Sequence, residues 1–260
     1  MPRPAFIGGP PLERPWAINR GSPQTRNLVA WWPTIDTPGS ALFELTGKNT
    51  AAIINNSPTV ATESTVGKCL TFNGSSNRIS TPTVGGLSEF AVSFWVRRNA
   101  DTGDWQMIFE DSSSDSSPSF ESDDTAGGTG YSFWVNAADN ISVTLALGTL
   151  YHVVVQYSDT NDVMGVAVNG VLTERATTTT ETLGGISWAG RRSDAFFAPV
   201  SLADLRVYDR YLTRAEIWAL YDPQTRWEMY RPLTRQVVGL APAAAAAGAT
   251  PTRMLMGVGT

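Results

Sequence analysis

The segment 200–222, VSLADLRVYDRYLTRAEIWALYD, constrains the fold more than any other part of the chain. Its first residues alternate between two faces, and both faces carry apolar side chains, which is typical of a central strand. We expect one face to hold Val200, Leu202, Asp204, Arg206 and Tyr208, and the other to hold Ala203, Leu205 and Val207.

A short helix is predicted directly after this strand. Thr213 is a good N-cap residue, and Glu216 stands three positions later as its capping-box partner. Leu212 and Ile217 have the spacing of a hydrophobic staple across the helix start. The sequence Asp222-Pro223 ends the helix, because the residue before a proline avoids helical geometry.

Other strand patterns recur along the chain, giving about a dozen short strands at close spacing. A first strand starts at Leu28, and Glu89–Arg98 and Tyr151–Tyr157 alternate clearly between apolar and other residues. Val163–Val168 runs into Asn169-Gly170, a dipeptide typical of a tight hairpin turn. Many short strands with one terminal helix predict an all-β fold, an antiparallel β-sandwich.

Two connections are predicted between these strands. Lys68–Ser80 reads as a hairpin, with two strands around Asn73-Gly74. Asp111–Gly130 is long and rich in Ser, Asp and Gly, so we expect an exposed loop there.

Several segments resemble the laminin-G-like, concanavalin A-like jelly-roll family. YHVVVQYSDTNDVMGVAVNGVLTER is similar to the family's "WHHVAVTYDGTTLRLYVNGVL", and EFAVSFWVRR is similar to "FTISAWVK". The segment 200–222 resembles the family's closing strand "DVRIYNRAL" and its helix "SAAEIQALY". The resemblance extends over residues 28–222 and implies a jelly-roll sandwich with one short C-terminal helix.

The two ends of the chain read as extended arms, because residues 1–27 are rich in proline and residues 223–260 are rich in Ala, Pro and Gly. Both arms also contain side chains suited to protein contacts, which we interpret as assembly anchors: Arg14, Trp16, Trp227, Tyr230 and Arg231.

The sequences flanking the sandwich, AINRGSPQTRNLVAWWP and LYDPQTRWEMYRP, are similar to the flanks of laminin-G-like proteins in tailed-bacteriophage virions. The first departs from that pattern at Arg20–Pro23, and the second departs at Gln224–Arg226.

We predict that the chain is not an enzyme. Retaining glycosidases hold two carboxyl groups about 5 Å apart. The nearest approach to the glucanase motif Glu-x-Asp-x-(x)-Glu is Glu121-Ser122-Asp123, but Thr125 and Ala126 stand where the second Glu belongs. The single histidine, His152, lies in a strand like the structural histidine of the family, which disfavours a serine- or cysteine-based site and a histidine metal site.

Two kinds of ligand site stay open. Many domains of the family bind calcium at the rim, and the candidate ligands here are Asp101, Asp104, Asp111, Asp115, Asp123 and Asp124. The alternative is that these acidic loops are simply solvated. Three tryptophans could stack on a glycan or lie in the core: Trp105, Trp134 and Trp188.

The flank resemblance implies a structural protein of a phage particle, namely a capsid decoration protein or a head or tail appendage. Its partners would be the major capsid protein or other virion subunits, with a trimer favoured, and it would reach the virion exterior without a signal peptide. The alternative is a carbohydrate-binding adhesin that recognises a host surface glycan. The net charge of −5 argues against nucleic acid, and no apolar run is long enough for a membrane span.

Overall fold

The computed structural model describes residues 16–34, 40–103, 105–111, 116–122, 129–136, 138–190 and 196–232. A short 3-10 turn lies at Pro23–Thr25. The strands are β1 (Trp16–Ile18), β2 (Leu28–Trp32), β3 (Ala41–Leu42), β4 (Ala52–Asn55), β5 (Thr59–Glu63), β6 (Gly67–Thr71), β7 (Arg78–Ser80), β8 (Glu89–Arg98), β9 (Met107–Asp111), β10 (Ser116–Ser122), β11 (Gly130–Trp134), β12 (Asn140–Thr144), β13 (Leu150–Ser158), β14 (Val163–Val168), β15 (Val171–Ala176), β16 (Ile186–Trp188), β17 (Val200–Tyr208) and β18 (Tyr230–Pro232). The helix is α1 (Arg214–Tyr221).

These strands form two stacked sheets and one two-stranded ribbon. One sheet, which we call the polar sheet, has the order β12-β11-β10-β9-β16-β7-β4-β3. The other, which we call the covered sheet, has the order β15-β14-β13-β8-β17-β6-β5, and β2 also pairs with β17. The ribbon pairs β1 with β18. Neighbouring strands run antiparallel, so the predicted all-β antiparallel sandwich is confirmed.

The core between the sheets is built around four aromatic side chains from both sheets. The ring centroid of Phe94 on β8 lies 5.9 Å from those of Phe109 and Phe120, and 5.3 Å from that of Trp188. All four are fully buried. Because side chains alternate along a strand, each of these strands turns its other residues outward.

Strand β17 is central, as its two apolar faces predict, and all nine of its residues are buried. The predicted assignment of its residues to the two faces of the sheet is wrong after Ala203, however. Asp204 has a φ of 55°, and the pairing with β8 shifts register between Ala203 and Arg206. This bulge reverses the alternation, so that Leu202 faces the core between the sheets while Arg206 faces the outside of the covered sheet.

The predicted start of α1 is confirmed. The Thr213 side chain accepts a hydrogen bond from the backbone N–H of Glu216, and the Glu216 carboxylate accepts one from the backbone N–H of Thr213. Leu212 and Ile217 are both buried, as the staple requires. No helix in the described ranges combines the length and the apolar character needed to cross a bilayer.

The Asn169-Gly170 turn is confirmed as the connection between β14 and β15. Both residues have positive φ, 50° and 82°, as this type of tight turn requires. The Asn169 side chain also accepts a hydrogen bond of 2.9 Å from the backbone N–H of His152, which ties the turn to β13.

Two predicted connections are wrong. Lys68–Ser80 is not a hairpin, because β6 lies in the covered sheet and β7 in the polar sheet. The Asn73 side chain accepts hydrogen bonds from three successive backbone N–H groups and so shapes a crossing loop instead. The predicted loop Asp111–Gly130 contains β10, which is held by the buried Phe120.

Candidate functional site

The outer faces of the two sheets differ in what lies on them. On the covered sheet, a second cluster of buried side chains packs beneath an outer layer that we define as residues 16–27 and 209–232. Within this layer, Gln24 donates hydrogen bonds to the carbonyls of Ala219 and Thr225 at 3.0 and 2.7 Å. The outer layer therefore joins the two flanks of the chain to each other and to the sheet.

The predicted boundaries at residues 28 and 222 divide this layer, so they differ from the structure. Residues 16–18 pair with residues 230–232 and thereby join the sandwich. The physical reason is the apolar surface of the covered sheet, which Leu28, Trp31 and Trp95 would otherwise expose.

Two of the five predicted assembly anchors are buried within the chain itself. Trp227 and Tyr230 are 4% and 3% exposed, and the Tyr230 ring lies 4.8 Å from Trp31 in an edge-to-face contact. Their apolar surface is already covered, so the prediction that they contact neighbouring subunits is wrong. Arg231 is exposed, as an anchor requires.

The remaining anchors are described only in part. Trp16 pairs through its backbone with Pro232, and its side chain lies outside the described part of the chain. Arg14 also lies outside the described residues.

The outer face of the polar sheet carries polar side chains, and among the described residues no covering layer of this kind lies on it. The register places Glu110 beside Ser119 and Ser187, and Glu121 beside Ser132. These residues alternate with inward-facing aromatic and aliphatic residues such as Phe109, and so they face outward. We call this outer surface of the polar sheet the polar face.

The middle of the polar face is buried even though it faces away from the core. Glu110 and Ser187 are fully buried, and Glu121 is nearly so. The Ser187 hydroxyl donates a hydrogen bond of 2.8 Å to the carbonyl of Gly190, which shields it on the outer side. Glu110 and Glu121 lie on neighbouring strands as diagonal neighbours, an arrangement that no contiguous sequence motif indicates.

The edge of the polar face is accessible and centres on Trp134. This side chain is half-buried and lies between Ser119 on β10 and Asn140 on β12 in the strand register. Ser132 and Ser142 lie on the same side and are 2.8 Å apart, joined by a hydrogen bond between their hydroxyls. The arrangement offers one aromatic ring surrounded by hydroxyl and amide groups.

The other two candidate tryptophans have different environments. Trp188 is 0% exposed and packs against Phe94 and Phe109, so of its two predicted roles the core position is confirmed and stacking on a glycan is excluded. Trp105 is half-buried just before β9, and its role in binding stays a prediction.

His152 is a buried structural residue. Its Nε2 lies 3.0 Å from the Ser93 hydroxyl, and its ring packs against Trp95 and Tyr221. Burial, together with the positive charges of Arg206 and Arg226, lowers the pKa of His152 to about 3. Since Ser93 and His152 are both buried, a substrate cannot reach this serine–histidine pair.

The predicted calcium ligands are only partly described. Asp104, Asp115, Asp123 and Asp124 lie outside the described residues. Asp101 accepts a hydrogen bond from the backbone N–H of Gly103.

The other described candidate, Asp111, accepts hydrogen bonds from the backbone N–H groups of Gly184 and Gly185. Within the described ranges, no group of three or more His, Cys, Asp or Glu side chains is placed to hold a metal ion. Calcium binding stays a prediction.

The polar face is difficult to recognise from the sequence because its strands are short and their outward residues are small and polar. In β10, Phe120 alone marks the inward side, and the serines around it resemble a loop. A Ser-x-Glu pattern around a single phenylalanine was the available indication.

Comparison with solved structures shows the same fold in sugar-associated proteins. The sialidase of Trypanosoma rangeli, solved with sialic acid, superposes with a TM-score of 0.58 at 18% identity, over 76% of this chain and 33% of that one. The chain thus spans about a third of the length of this sialidase.

Domain 4 of an extracellular GH43 arabinanase from Geobacillus stearothermophilus, solved with arabinotriose, gives a TM-score of 0.60 at 17% identity. That match covers 75% of this chain and 98% of the arabinanase domain. Identities at this level show the fold alone.

Comparison of the sequence itself gives a family. No curated protein matches the sequence. Residues 73–218 match the profile of a laminin-G-like family described as the concanavalin A-like lectin/glucanases superfamily. That match covers more than half of the chain, and the chain therefore belongs to the concanavalin A-like lectin/glucanase superfamily.

Proposed function

We propose that the chain is a non-enzymatic structural protein of a phage particle, which displays a lectin-like domain and is attached to the particle through its terminal segments. The observation that carries this proposal is the opposition of two surfaces. The ends of the described chain, at Trp16 and Pro232, pair with each other on the outer layer. The polar face lies on the other side of the sandwich.

This geometry suits attachment on one side and display on the other. The points where residues 1–15 and 233–260 join the domain are neighbours, because Trp16 and Pro232 are directly paired. Two tethers that start together on one face hold a domain in one orientation better than tethers on opposite faces would. The resemblance of both flanks to phage virion proteins supports a virion as the particle, as a capsid decoration or an appendage.

We propose that the displayed surface binds carbohydrate at the accessible edge of the polar face. A half-buried aromatic ring flanked by polar groups suits a sugar, which has one apolar face and a rim of hydroxyls. Trp134 would stack on the sugar ring, and Asn140 and Ser142 would hydrogen-bond its hydroxyls. The solved relatives with sialic acid and arabinotriose support carbohydrate as the ligand class.

Binding is tested with a glycan array followed by calorimetric titration of the strongest ligand. Trp134→Ala should weaken binding at least tenfold, since apolar area buried against the indole contributes about 25 cal/mol per Å² and a tenfold change corresponds to about 1.4 kcal/mol. Trp218→Ala, which removes an exposed tryptophan from the opposite side, is the matched control and should bind normally. Equal binding by both variants would place the sugar site elsewhere.

Attachment is tested separately by comparing the full chain with residues 16–232 alone. The shorter chain should fold with the same melting temperature, because it keeps the outer layer intact. It should join particles much less efficiently than the full chain when it replaces the full chain during phage assembly. Normal incorporation of the shorter chain would contradict attachment through the terminal segments.

A further inference from the structure

We infer that the outer layer binds an acidic protein surface, with Trp218 as its central apolar contact. This inference rests on the proposed attachment to a particle and names the chemistry of the partner. It is carried by the distribution of charge along the chain and by one exposed aromatic patch.

Charge is strongly segregated between the body and the ends of the chain. Residues 28–208 contain nine basic and nineteen acidic side chains, whereas residues 1–27 and 209–260 together contain ten basic and five acidic ones. The body is therefore negative and the ends are positive. The outer layer itself, residues 16–27 and 209–232, contains six basic and four acidic side chains, so the attachment side carries a net positive charge while the body is negative. Complementary charge steers association and orients the partners.

The basic groups of the ends are all arginines. Arg20, Arg26 and Arg231 are exposed on the outer layer. Arginine forms planar, bidentate contacts with carboxylates and loses water more easily than lysine, so it is suited to a protein interface with Asp and Glu. A partner rich in carboxylates would meet these side chains without competition from the acidic body.

The outer layer also carries an exposed apolar patch, which lies where α1 meets the β14–β15 turn. Trp218 on α1 is 51% exposed, and Val171 at the start of β15 is 69% exposed. The Trp218 ring is held in place against Gly170, where a Cβ atom would lie only 2.7 Å from Cε3, and against Tyr221 in an edge-to-face contact. At the rim, Arg214 pairs with Glu174.

A tryptophan that is exposed yet fixed is a strong candidate for an interface anchor. It loses little conformational freedom on binding and buries a large apolar area. Tryptophan and arginine are also the residues most enriched among binding hot spots. Apolar contact of this kind favours a protein partner, because nucleic acid would recognise the arginines alone and would be repelled by the acidic body.

The test uses particles purified from the phage that encodes the chain after disruption of its gene. Binding of the full-length protein is measured by co-sedimentation at about 0.05 and 0.5 M salt, with and without nuclease treatment of the particles. The variants are Trp218→Ala, Val171→Asp, and Arg26→Glu combined with Arg231→Glu. Phe43→Ala is the control, because Phe43 is also 51% exposed but lies outside the outer layer.

We expect Trp218→Ala and Val171→Asp each to weaken binding at least tenfold, and the arginine reversals to weaken it at low salt and to flatten its salt dependence. Phe43→Ala should bind like the unchanged protein. Unaltered binding by the first three variants would overturn the acidic-partner inference and leave attachment standing. Loss of binding after nuclease treatment would identify nucleic acid instead and would also overturn it. Failure of the unchanged protein to bind would reject the proposed function itself.

Discussion

The indole N–H of Trp31 donates a hydrogen bond of 2.8 Å to the carboxylate of Asp204. The same carboxylate accepts hydrogen bonds from Arg206 at 3.1 and 2.6 Å, and the guanidinium lies 5.5 Å from the Trp31 ring centroid. All three side chains are buried beneath the outer layer. The bulge makes this possible, since without it Asp204 and Arg206 would share the core side with Leu202, and with it both lie beneath the outer layer.

Removing the charge of Asp204 should destabilise the domain strongly. Asp204→Asn keeps an acceptor for Trp31 but leaves the guanidinium of Arg206 buried without its counter-charge, and such a loss costs about 3–5 kcal/mol. The measurement is the free energy of unfolding in urea. Asp162→Asn, at an exposed position with positive φ, should change it little. A similar small change in both variants would mean that Arg206 is well solvated.

The domain should lose stability as the pH falls below 6.5 because of His152. Its pKa is about 3 in the folded chain and about 6.5 in the unfolded chain, so the unfolded chain takes up the proton first. Its contribution is complete above pH 6.5 and decreases by up to about 1.4 kcal/mol per pH unit towards pH 3.

His152→Gln should flatten this dependence between pH 6.5 and 5. Glu216 is the comparison, because its pKa is lowered to about 2, chiefly by hydrogen bonds from Arg210, and it therefore titrates at lower pH. The melting temperature of Glu216→Gln should keep the original slope between pH 6.5 and 5. An unchanged slope in the His152 variant would assign the dependence to other groups.

The turn at Asn169 should not tolerate a β-branched residue. Asn169→Val should cost about 1–2 kcal/mol, because valine is strained at the φ of 50°. Asn169→Gly also removes the hydrogen bond to His152 but accepts positive φ, and so it should cost less. Thermal unfolding of the two variants separates the effect of backbone strain from that of the lost hydrogen bond. Equal losses of stability in the two variants would contradict the explanation by backbone strain.

The outer layer should be part of the folding unit. A chain limited to residues 28–222 should melt at a lower temperature than residues 16–232 and should bind a hydrophobic dye, because it exposes Trp31 and Trp95. Equal melting temperatures would show that the sandwich is stable without its cover and would restore the boundaries predicted from the sequence.

The elements that were predicted correctly are those whose geometry is specified by a few neighbouring residues. The capping box at Thr213, the Asn169-Gly170 turn and the alternation in β8 each specify a geometry within a few residues. These elements form without contacts to distant parts of the chain, and so the fold class could be predicted from them.

The features that were missed depend on contacts between distant residues. Trp227 and Tyr230 look like free anchors along the sequence, yet they cover Trp31, which lies about 200 positions away. Strand β10 has few apolar residues, because only Phe120 marks its inward side. Its pairing with β9 and β11 is what identifies it as a strand. The candidate site is built across such neighbours, so single segments could not reveal it.

The pairing of Trp16 with Pro232 also has an evolutionary consequence. Paired residues in an antiparallel ribbon have Cα atoms about 5 Å apart, which is the span of a hairpin loop. A domain whose entry and exit are this close can replace a surface loop of another protein without distorting its host. The ribbon thus makes this sandwich a transferable module, able to move between proteins as one insertion.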